Sequence, residues 1–271
     1  MTRRWGAGEP RVPASREDDP YLSSYLNTRD IGGIRTSPGE ETAPGTVFRT
    51  AAMEHALPDL VLNLAREIEQ GSSANTREKV HFLDLRSPSE VNEKPAPRDT
   101  VTVHRIPLRD PDARHVPPSA RGPEHFAQQY VRMLPDAGRA VATLLDIVAA
   151  DTGPVVVGCR LGKDRTGLVI LLLLRLLGVP DHDNREEFGR TGRALARRRD
   201  WLDGYAARRG ETPAEVLRRC ALPPGVPQHV LDVLRLRAAR DTPAPAPWPA
   251  VDAALLRRAR ARLTRPKGEL A

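Results

Sequence analysis

Cysteine is scarce in this chain of 271 residues, with only Cys159 and Cys220 present. Two cysteines are too few for a disulfide framework, and no apolar stretch near the N-terminus resembles a signal peptide, so we expect free thiols and a reducing cytoplasm. Long hydrophobic runs are also missing. The longest, from Leu168 to Val179, is interrupted by Arg175 and is far shorter than the ~20 residues that a membrane span requires. This run predicts a buried helix.

Lysine is rare as well. Among 42 basic residues, only Lys79, Lys94, Lys163 and Lys267 are lysines, and the formal net charge is +7. The arginine bias, together with 26 prolines, is typical of a chain encoded by a GC-rich genome. A positive chain also attracts anionic partners. Among these we expect a phosphate-ester substrate and no nucleic acid, and nothing in the sequence supports binding to a membrane surface.

The two ends of the chain differ from its middle. Residues 1–20 are polar and turn-rich without periodicity, which predicts a flexible leader. Residues 241–249 (DTPAPAPWP) alternate proline with small residues and predict a stiff, extended linker. Beyond it, residues 251–263 predict a short basic amphipathic helix. We therefore expect one domain over residues 21–240, followed by the linker and the helix.

The middle of the chain alternates short β-like runs with longer helical ones. The predicted strands are Val80–Leu85, Thr100–Ile106 and Pro154–Val157, and the predicted helices are Leu57–Gln70, Pro123–Ala150 and Thr166–Leu177. A further helical block follows, at Asp183–Arg199, Thr212–Arg219 and Pro227–Arg240. Alternation of this kind predicts an α/β domain with a mostly parallel central sheet flanked by helices, to which the C-terminal helical block is added.

The most informative segment is PVVVGCRLGKDRTGLV, which begins at Pro154 and ends at Val169. A β-branched run leads to Cys159, and Arg165 opens an apolar helix six residues later. Backbone N–H groups of such a loop, and those of the first helical turn, point inward and form an anion site. The helix dipole and the adjacent Lys163 and Arg165 favour the thiolate, which is the nucleophilic form of cysteine. The segment thus predicts a nucleophile beneath a phosphate cradle, with the Arg165 fork holding two phosphoryl oxygens.

Cys159 to Arg165 matches the C-x5-R signature of cysteine-dependent phosphatases, and CRLGKDRTG resembles the GKDRTG loop of bacterial tyrosine and lipid phosphatases. Other segments resemble the same family in matching order. They are NTRDIGG (27–33), VFRT (47–50), DLRSPSE (84–90) and LLGVPD (176–181). The resemblance covers residues 21–240 and implies a tyrosine-phosphatase-like fold.

The resemblance also implies roles for the loop residues. Cys159 would be the nucleophile, and Thr166 would hydrogen-bond its sulfur and ease departure of the thiolate, although Thr166 is equally an ordinary hydroxyl at a helix N-terminus. We expect phosphate or sulfate to bind in the loop. The expected phosphate-binding residues are Arg160, Leu161, Gly162, Lys163, Asp164 and Arg165.

Three aspartates compete for the role of the acid that protonates the leaving alcohol. Asp164 lies inside the loop and ranks first. Asp84 of the DLR segment ranks second, because it could equally pair with a neighbouring arginine for structural reasons. Asp110 follows a predicted strand, where many relatives of the wider superfamily place their acid, and ranks third.

Four further charged residues in the resembling segments are expected to support the loop from behind rather than to touch substrate. They are Arg29, Asp30, Arg49 and Arg86. The histidines show no metal-ligand spacing, and the cysteine mechanism requires no metal, so neither a metal nor another cofactor is expected.

Gly158 is a departure from the family pattern, because these phosphatases usually carry histidine immediately before the cysteine. The absence of this histidine removes one group that orients the loop and holds the thiolate.

Taken together, these segments predict a metal-independent phosphomonoesterase with a phosphocysteine intermediate, acting on phosphotyrosine, a phosphoinositide or a small phosphorylated metabolite. The alternative is a catalytically weak phosphate-binding pseudophosphatase that acts as an adaptor.

Overall fold

The structure is a computed structural model, and it describes residues 22–36, 39–52, 57–71, 79–91, 99–109, 123–220, 225–239 and 251–267. The predicted leader and the predicted proline-rich linker lie outside the described residues. None of the helices in these ranges is long and apolar enough to cross a membrane.

A five-stranded sheet forms the centre of the molecule. Its strands are β1 (Arg29–Asp30), β3 (Val47–Ala51), β4 (Val80–Asp84), β5 (Val101–Arg105) and β6 (Val155–Cys159), in the order β1-β3-β6-β4-β5. Only β1 pairs antiparallel, and the other pairs are parallel. The central strand β6 reads as an unbroken apolar run because it is buried on both faces. The predicted fold class, a mostly parallel sheet flanked by helices, is confirmed.

Helices cover both faces of this sheet. They are α1 (Asp59–Gly71), α2 (Pro123–Ala149), α3 (Asp164–Leu176), α4 (Asp181–Arg197), α5 (Arg199–Arg209), α6 (Pro213–Cys220), α7 (Val226–Ala239) and α8 (Ala253–Leu263). Helix α1 packs with Phe48, Phe82 and Val156 in one core cluster, whereas α2 and α3 belong to the larger cluster with Val155 and Val157. Every residue of α3 from Thr166 to Leu174 is buried, as the uninterrupted apolar run predicts.

The boundaries of two predicted helices need correction. Helix α3 begins at Asp164 rather than Thr166, so Asp164 and Arg165 lie in its first turn. The predicted helix Asp183–Arg199 begins earlier and ends at Arg197, because Arg198 leaves the helical conformation at φ −93° and ψ 74°. A separate helix, α5, follows this break, and the sequence did not predict it.

The C-terminal segment packs against the rest of the protein. Helix α8 forms where a basic amphipathic helix was predicted, and its Ala259 and Leu263 are buried in the larger core cluster. The strand β7 (Thr264–Pro266) then pairs antiparallel with β2 (Glu40–Thr42) in a small second sheet. The proline-rich segment therefore precedes a helix and a strand that contact the domain, rather than a detached tail.

Candidate active site

The segment from Cys159 to Arg165 bends at the carboxyl end of the central strand. Cys159 is the last residue of β6, and α3 begins five residues later at Asp164. Gly162 has φ +62°, and a Cβ at this position would lie 2.5 Å from the carbonyl oxygen of Thr50. Glycine is therefore required there both by the left-handed backbone and by the close approach to β3. The residues predicted to cradle a phosphate share this bend, and we call it the Cys159–Arg165 loop.

Cys159 is a free thiol with 2% of its surface exposed. The guanidinium of Arg165 is largely buried in the first turn of α3. Burial opposes the charge of Arg165, but hydrogen bonds to Glu90 and the proximity of Cys159 outweigh burial and raise the pKa of Arg165 above its ordinary value. The site thus holds a permanent cation near the sulfur.

Glu90 orients Arg165. The two guanidinium nitrogens Nη1 and Nη2 of Arg165 donate to the two carboxylate oxygens of Glu90 at 2.6 and 2.8 Å, and Nη1 also donates to the carbonyl of Leu85. Glu90 is itself held by the backbone N–H of Ser87 at 2.8 Å and by the Ser87 hydroxyl. Burial would raise the pKa of Glu90, but the bonds from Arg165 prevail and lower it to about 2. The sequence showed Glu90 only as the last letter of a resembling segment and did not reveal this role.

A buried ion network supports the loop from the side of β1 and β3. Arg29 Nε and Arg49 Nη1 donate to opposite oxygens of Glu187, on α4, at 2.8 and 2.7 Å. Arg49 Nη2 also donates to the carbonyl of Gly162 at 2.6 Å, so it joins the network to the Cys159–Arg165 loop. Burial penalises the Glu187 carboxylate, yet the two arginines lower its pKa. The sequence did not identify Glu187, which lies far along the chain from both arginines.

The other two supporting residues lie in separate places. Asp30 accepts hydrogen bonds from the backbone N–H groups of Gly32 and Gly45, both at 2.7 Å, and shapes the turns next to β1. Arg86 donates to both oxygens of Asp84 at 2.8 Å. None of the hydrogen bonds described for these residues reaches the Cys159–Arg165 loop directly.

The candidate acids have very different surroundings. The side chain of Asp164 is 39% exposed, its Oδ1 accepts a 2.6 Å hydrogen bond from the hydroxyl of Tyr130, and Lys163 Nζ lies 3.4 Å from the same oxygen. Burial and the neighbouring Asp164 raise the pKa of Tyr130, so this hydroxyl keeps its proton and donates. Asp84, in contrast, is buried and uses both oxygens on Arg86. Asp110 lies outside the described residues.

The remaining loop side chains point in several directions. Arg160 is exposed, and Leu161 packs against the apolar cluster of α5 and α6, so any phosphate contact from Leu161 comes from its backbone. Lys163 is buried with its Nζ 5.7 Å from the ring centroid of Phe126. Thr166 is fully buried, and its hydroxyl has no hydrogen-bond partner in the described part of the chain. The bond from Thr166 to the sulfur that the resemblance implied is therefore not formed in this structure.

Gly158 has a steric explanation. A Cβ at this position would lie 2.7 Å from Cε2 of Phe82 and 3.3 Å from Cγ2 of Thr50. The ring of Phe82 thus occupies the space beside β6 that any larger side chain at position 158 would need. The missing histidine is accompanied by a bulky neighbour on β4.

One group of potential metal ligands occurs within the described ranges. It consists of His182, Asp183 and Glu186 on the first turns of α4, where two of the three side chains are exposed. None of them belongs to the Cys159–Arg165 loop, and exposed acidic groups are common without a metal.

Comparison with known proteins is consistent with this geometry. The family model described as the tyrosine phosphatase family matches residues 20–239, which include every element from β1 to α7. A search of curated proteins finds no match. This family model covers most of the chain, and the fold described above agrees with it. The chain belongs to the tyrosine phosphatase family, and its domain is that of a phosphatase.

Proposed function

We propose that the protein is a metal-independent phosphomonoesterase that works through a phosphocysteine intermediate on Cys159. The observation that carries the proposal is the placement of a buried thiol at the end of β6, with Arg165 in the first turn of the helix that follows. A phosphate in the bend would meet the positive end of α3 and a guanidinium together.

Arg165 supplies the phosphate-binding fork. An arginine has five N–H donors, and in the described part of the structure Glu90 and Leu85 account for three of those on Arg165. The Nε–H and the second Nη2–H lie on the other edge of the guanidinium. We assign this edge to two equatorial oxygens of the transferred phosphoryl group, which gain negative charge in the transition state.

In the first step the Cys159 thiolate attacks phosphorus, and the bond between phosphorus and the ester oxygen breaks. Asp164 gives its proton to that leaving oxygen, so an alcohol departs rather than an alkoxide. Tyr130 donates to Oδ1 of Asp164, and a proton on this carboxyl therefore resides on Oδ2. Asp84 is poorly suited to the role, because protonating it would break a buried, two-bonded ion pair with Arg86.

In the second step a water molecule attacks the phosphocysteine, and the bond between sulfur and phosphorus breaks. Asp164, now a carboxylate, takes the proton from the attacking water, which restores both groups. The leaving sulfur becomes a thiolate again. The buried hydroxyl of Thr166 has no acceptor among the described residues, and donation to this sulfur would satisfy it.

The proposed substrate is phosphotyrosine, a phosphoinositide or a small phosphorylated metabolite. The proposed compartment is a bacterial cytoplasm. We place the catalytic domain at residues 21–240, an extent that the family match over residues 20–239 supports. The adaptor alternative depends on Gly158 alone, and the ring of Phe82 supplies a packing reason for that glycine which does not require loss of catalysis.

Hydrolysis of p-nitrophenyl phosphate tests the proposal. We expect turnover that is unchanged by a chelator and inhibited by vanadate, and loss of at least a thousandfold in kcat for Cys159→Ser, because a serine hydroxyl is far less ionised than a thiol. The matched control is Cys220→Ser, which alters the other cysteine and should leave kcat unchanged. A kcat of Cys159→Ser within tenfold of that of the parent would rule out the phosphocysteine intermediate. Loss of activity on metal removal would overturn the metal-free mechanism. No turnover of any phosphate ester would favour the adaptor.

A further inference from the structure

The first two turns of α2 contact the Cys159–Arg165 loop through two aromatic side chains. Phe126 and Tyr130 stand at positions i and i+4 of this helix, and residues with that spacing lie on the same face. Nζ of Lys163 lies 5.7 Å from the ring centroid of Phe126, and the hydroxyl of Tyr130 donates to Oδ1 of Asp164 at 2.6 Å. One face of α2 therefore holds two consecutive residues of the loop.

Packing fixes the ring of Tyr130. This residue is 1% exposed, and its ring meets that of Phe188, on α4, at an angle of 63° with the ring centroids 5.8 Å apart. Phe188 in turn fills the space beside Gly167 on α3, where a Cβ would lie 2.8 Å from Cε2 of Phe188. The hydroxyl of Tyr130 thus reaches the loop from a ring that its neighbours hold in place, which sets the direction of its hydrogen bond.

The hydroxyl of Tyr130 is a hydrogen-bond donor near both of the proposed reacting side chains. Burial, followed by the proximity of Asp164, raises the pKa of Tyr130 well above its ordinary value, and the proximity of Cys159 raises it further. The hydroxyl therefore keeps its proton at neutral pH and above. A hydrogen bond donated to a carboxyl group strengthens as that group becomes negative. The bond from Tyr130 consequently gains strength while Asp164 gives up a proton.

The two oxygens of Asp164 have different surroundings. Oδ1 accepts from Tyr130, and Lys163 Nζ lies 3.4 Å from the same oxygen. Oδ2 accepts no hydrogen bond from the described residues, and 39% of the side chain is exposed. Oδ2 is therefore the oxygen that is left to carry a proton and to give it to a substrate.

We propose that Tyr130 is a positioning residue for proton transfer by Asp164. It holds Oδ1, keeps the proton on Oδ2, and stabilises the carboxylate as this proton passes to the ester oxygen of the substrate. The inference rests on the proposed function, in which Asp164 is the acid. Because Tyr130 acts through Asp164, its effect on the rate depends on how much the leaving group needs a proton.

Tyr130→Phe tests this inference, because it removes the hydroxyl and keeps the ring. We expect kcat/KM for phenethyl phosphate, an alkyl ester, to fall about tenfold, the effect of one hydrogen bond to a charged group. For p-nitrophenyl phosphate, whose leaving group scarcely needs protonation, the fall should be less than about threefold. Inhibition by vanadate depends on the loop and on Arg165, and it should change by less than about twofold.

Tyr25→Phe is the matched control. The hydroxyl of Tyr25 accepts a hydrogen bond of the same length, 2.6 Å, from Nδ2 of Asn63 on α1, and its removal should leave kcat/KM for both esters unchanged. A second test combines Tyr130→Phe with Asp164→Asn. Since Tyr130 acts through the acid, the double variant should hydrolyse phenethyl phosphate within about twofold of Asp164→Asn alone.

The outcomes separate this inference from the proposed function. If Asp164→Asn slows the alkyl ester selectively but Tyr130→Phe slows both esters equally, slows neither, or weakens inhibition by vanadate, the inference is wrong and the phosphatase stands. A further loss of about tenfold in the double variant would also overturn it, because Tyr130 would then act independently of the acid. If Asp164→Asn shows no leaving-group dependence, the inference falls together with the assignment of the acid. If the parent hydrolyses neither ester, the proposed function fails first.

Discussion

The bond between Glu90 and Arg165 gives the sharpest test of how the site is built. Glu90→Gln keeps the size of the side chain but removes its charge and places an NH2 group where one carboxylate oxygen accepts from Arg165. A pKa lowered from the ordinary 4.5 to about 2 corresponds to about 3 kcal/mol of favourable interaction with the ionised carboxylate. Because the carboxylate is partly exposed, we expect the measured loss in unfolding free energy at pH 7 to be about 2 kcal/mol.

The pH dependence has a definite sign. A folded-state pKa below the unfolded one means that the contribution of Glu90 is complete above about pH 5 and disappears as the pH falls through about 2. Urea unfolding of the parent and of Glu90→Gln should therefore give curves that differ at pH 7 and converge in acid. The control is Glu69→Gln, which changes an exposed carboxylate that accepts a hydrogen bond from Thr100 and should shift stability by less than about 0.5 kcal/mol.

Glu90→Gln should affect catalytic activity more strongly than it affects the free energy of unfolding. In Glu90→Gln, Arg165 loses at least one of the two bonds to residue 90 that fix its fork. A misplaced catalytic group costs on the order of a hundredfold in rate. We expect kcat/KM for p-nitrophenyl phosphate to fall about a hundredfold in Glu90→Gln under conditions where the variant is fully folded. A folded variant that retains kcat/KM within threefold, or a stability difference that persists unchanged at pH 2, would refute the assigned role of Glu90.

Two further predictions concern the acid and the residue before the nucleophile. Asp164→Asn should slow hydrolysis of an alkyl phosphate about a hundredfold but that of p-nitrophenyl phosphate less than tenfold, because nitrophenolate scarcely needs protonation. Equal losses on the two substrates, or the same leaving-group dependence in Asp84→Asn, would reverse the ranking of the acids. Gly158→Ala should destabilise the fold by about 2 kcal/mol through contact with the ring of Phe82. Combined with Phe82→Leu, it should lose about 1 kcal/mol less than the sum of the single changes, and simple additivity in urea unfolding would show that the ring is not the obstacle.

The central part of this protein could be predicted from the sequence because its determinants are local. An apolar run, a cysteine, a short glycine-containing bend and an apolar helix occupy sixteen consecutive residues from Pro154 to Val169. Strand, bend and helix follow from the order of these residues, and the chemistry proposed for the Cys159–Arg165 loop rests on their types. The parallel sheet could also be predicted from local patterns, because short strand-like runs alternate with longer helical runs along the chain.

Contacts between distant segments were decided only by the tertiary structure. Glu90 is 75 residues from Arg165, and Glu187 is 138 residues from Arg49. With 35 acidic and 42 basic residues in the chain, charge alone does not determine which of them pair, since that depends on which segments the fold brings together. The packing of α8 on α2 was likewise hidden, because a short amphipathic pattern predicts an apolar face but not the surface that covers it. Gly158 is the clearest case. In the sequence it stands where the family usually has histidine, and only the structure shows that the ring of Phe82, two strands earlier in the chain, occupies the space that a larger side chain would need.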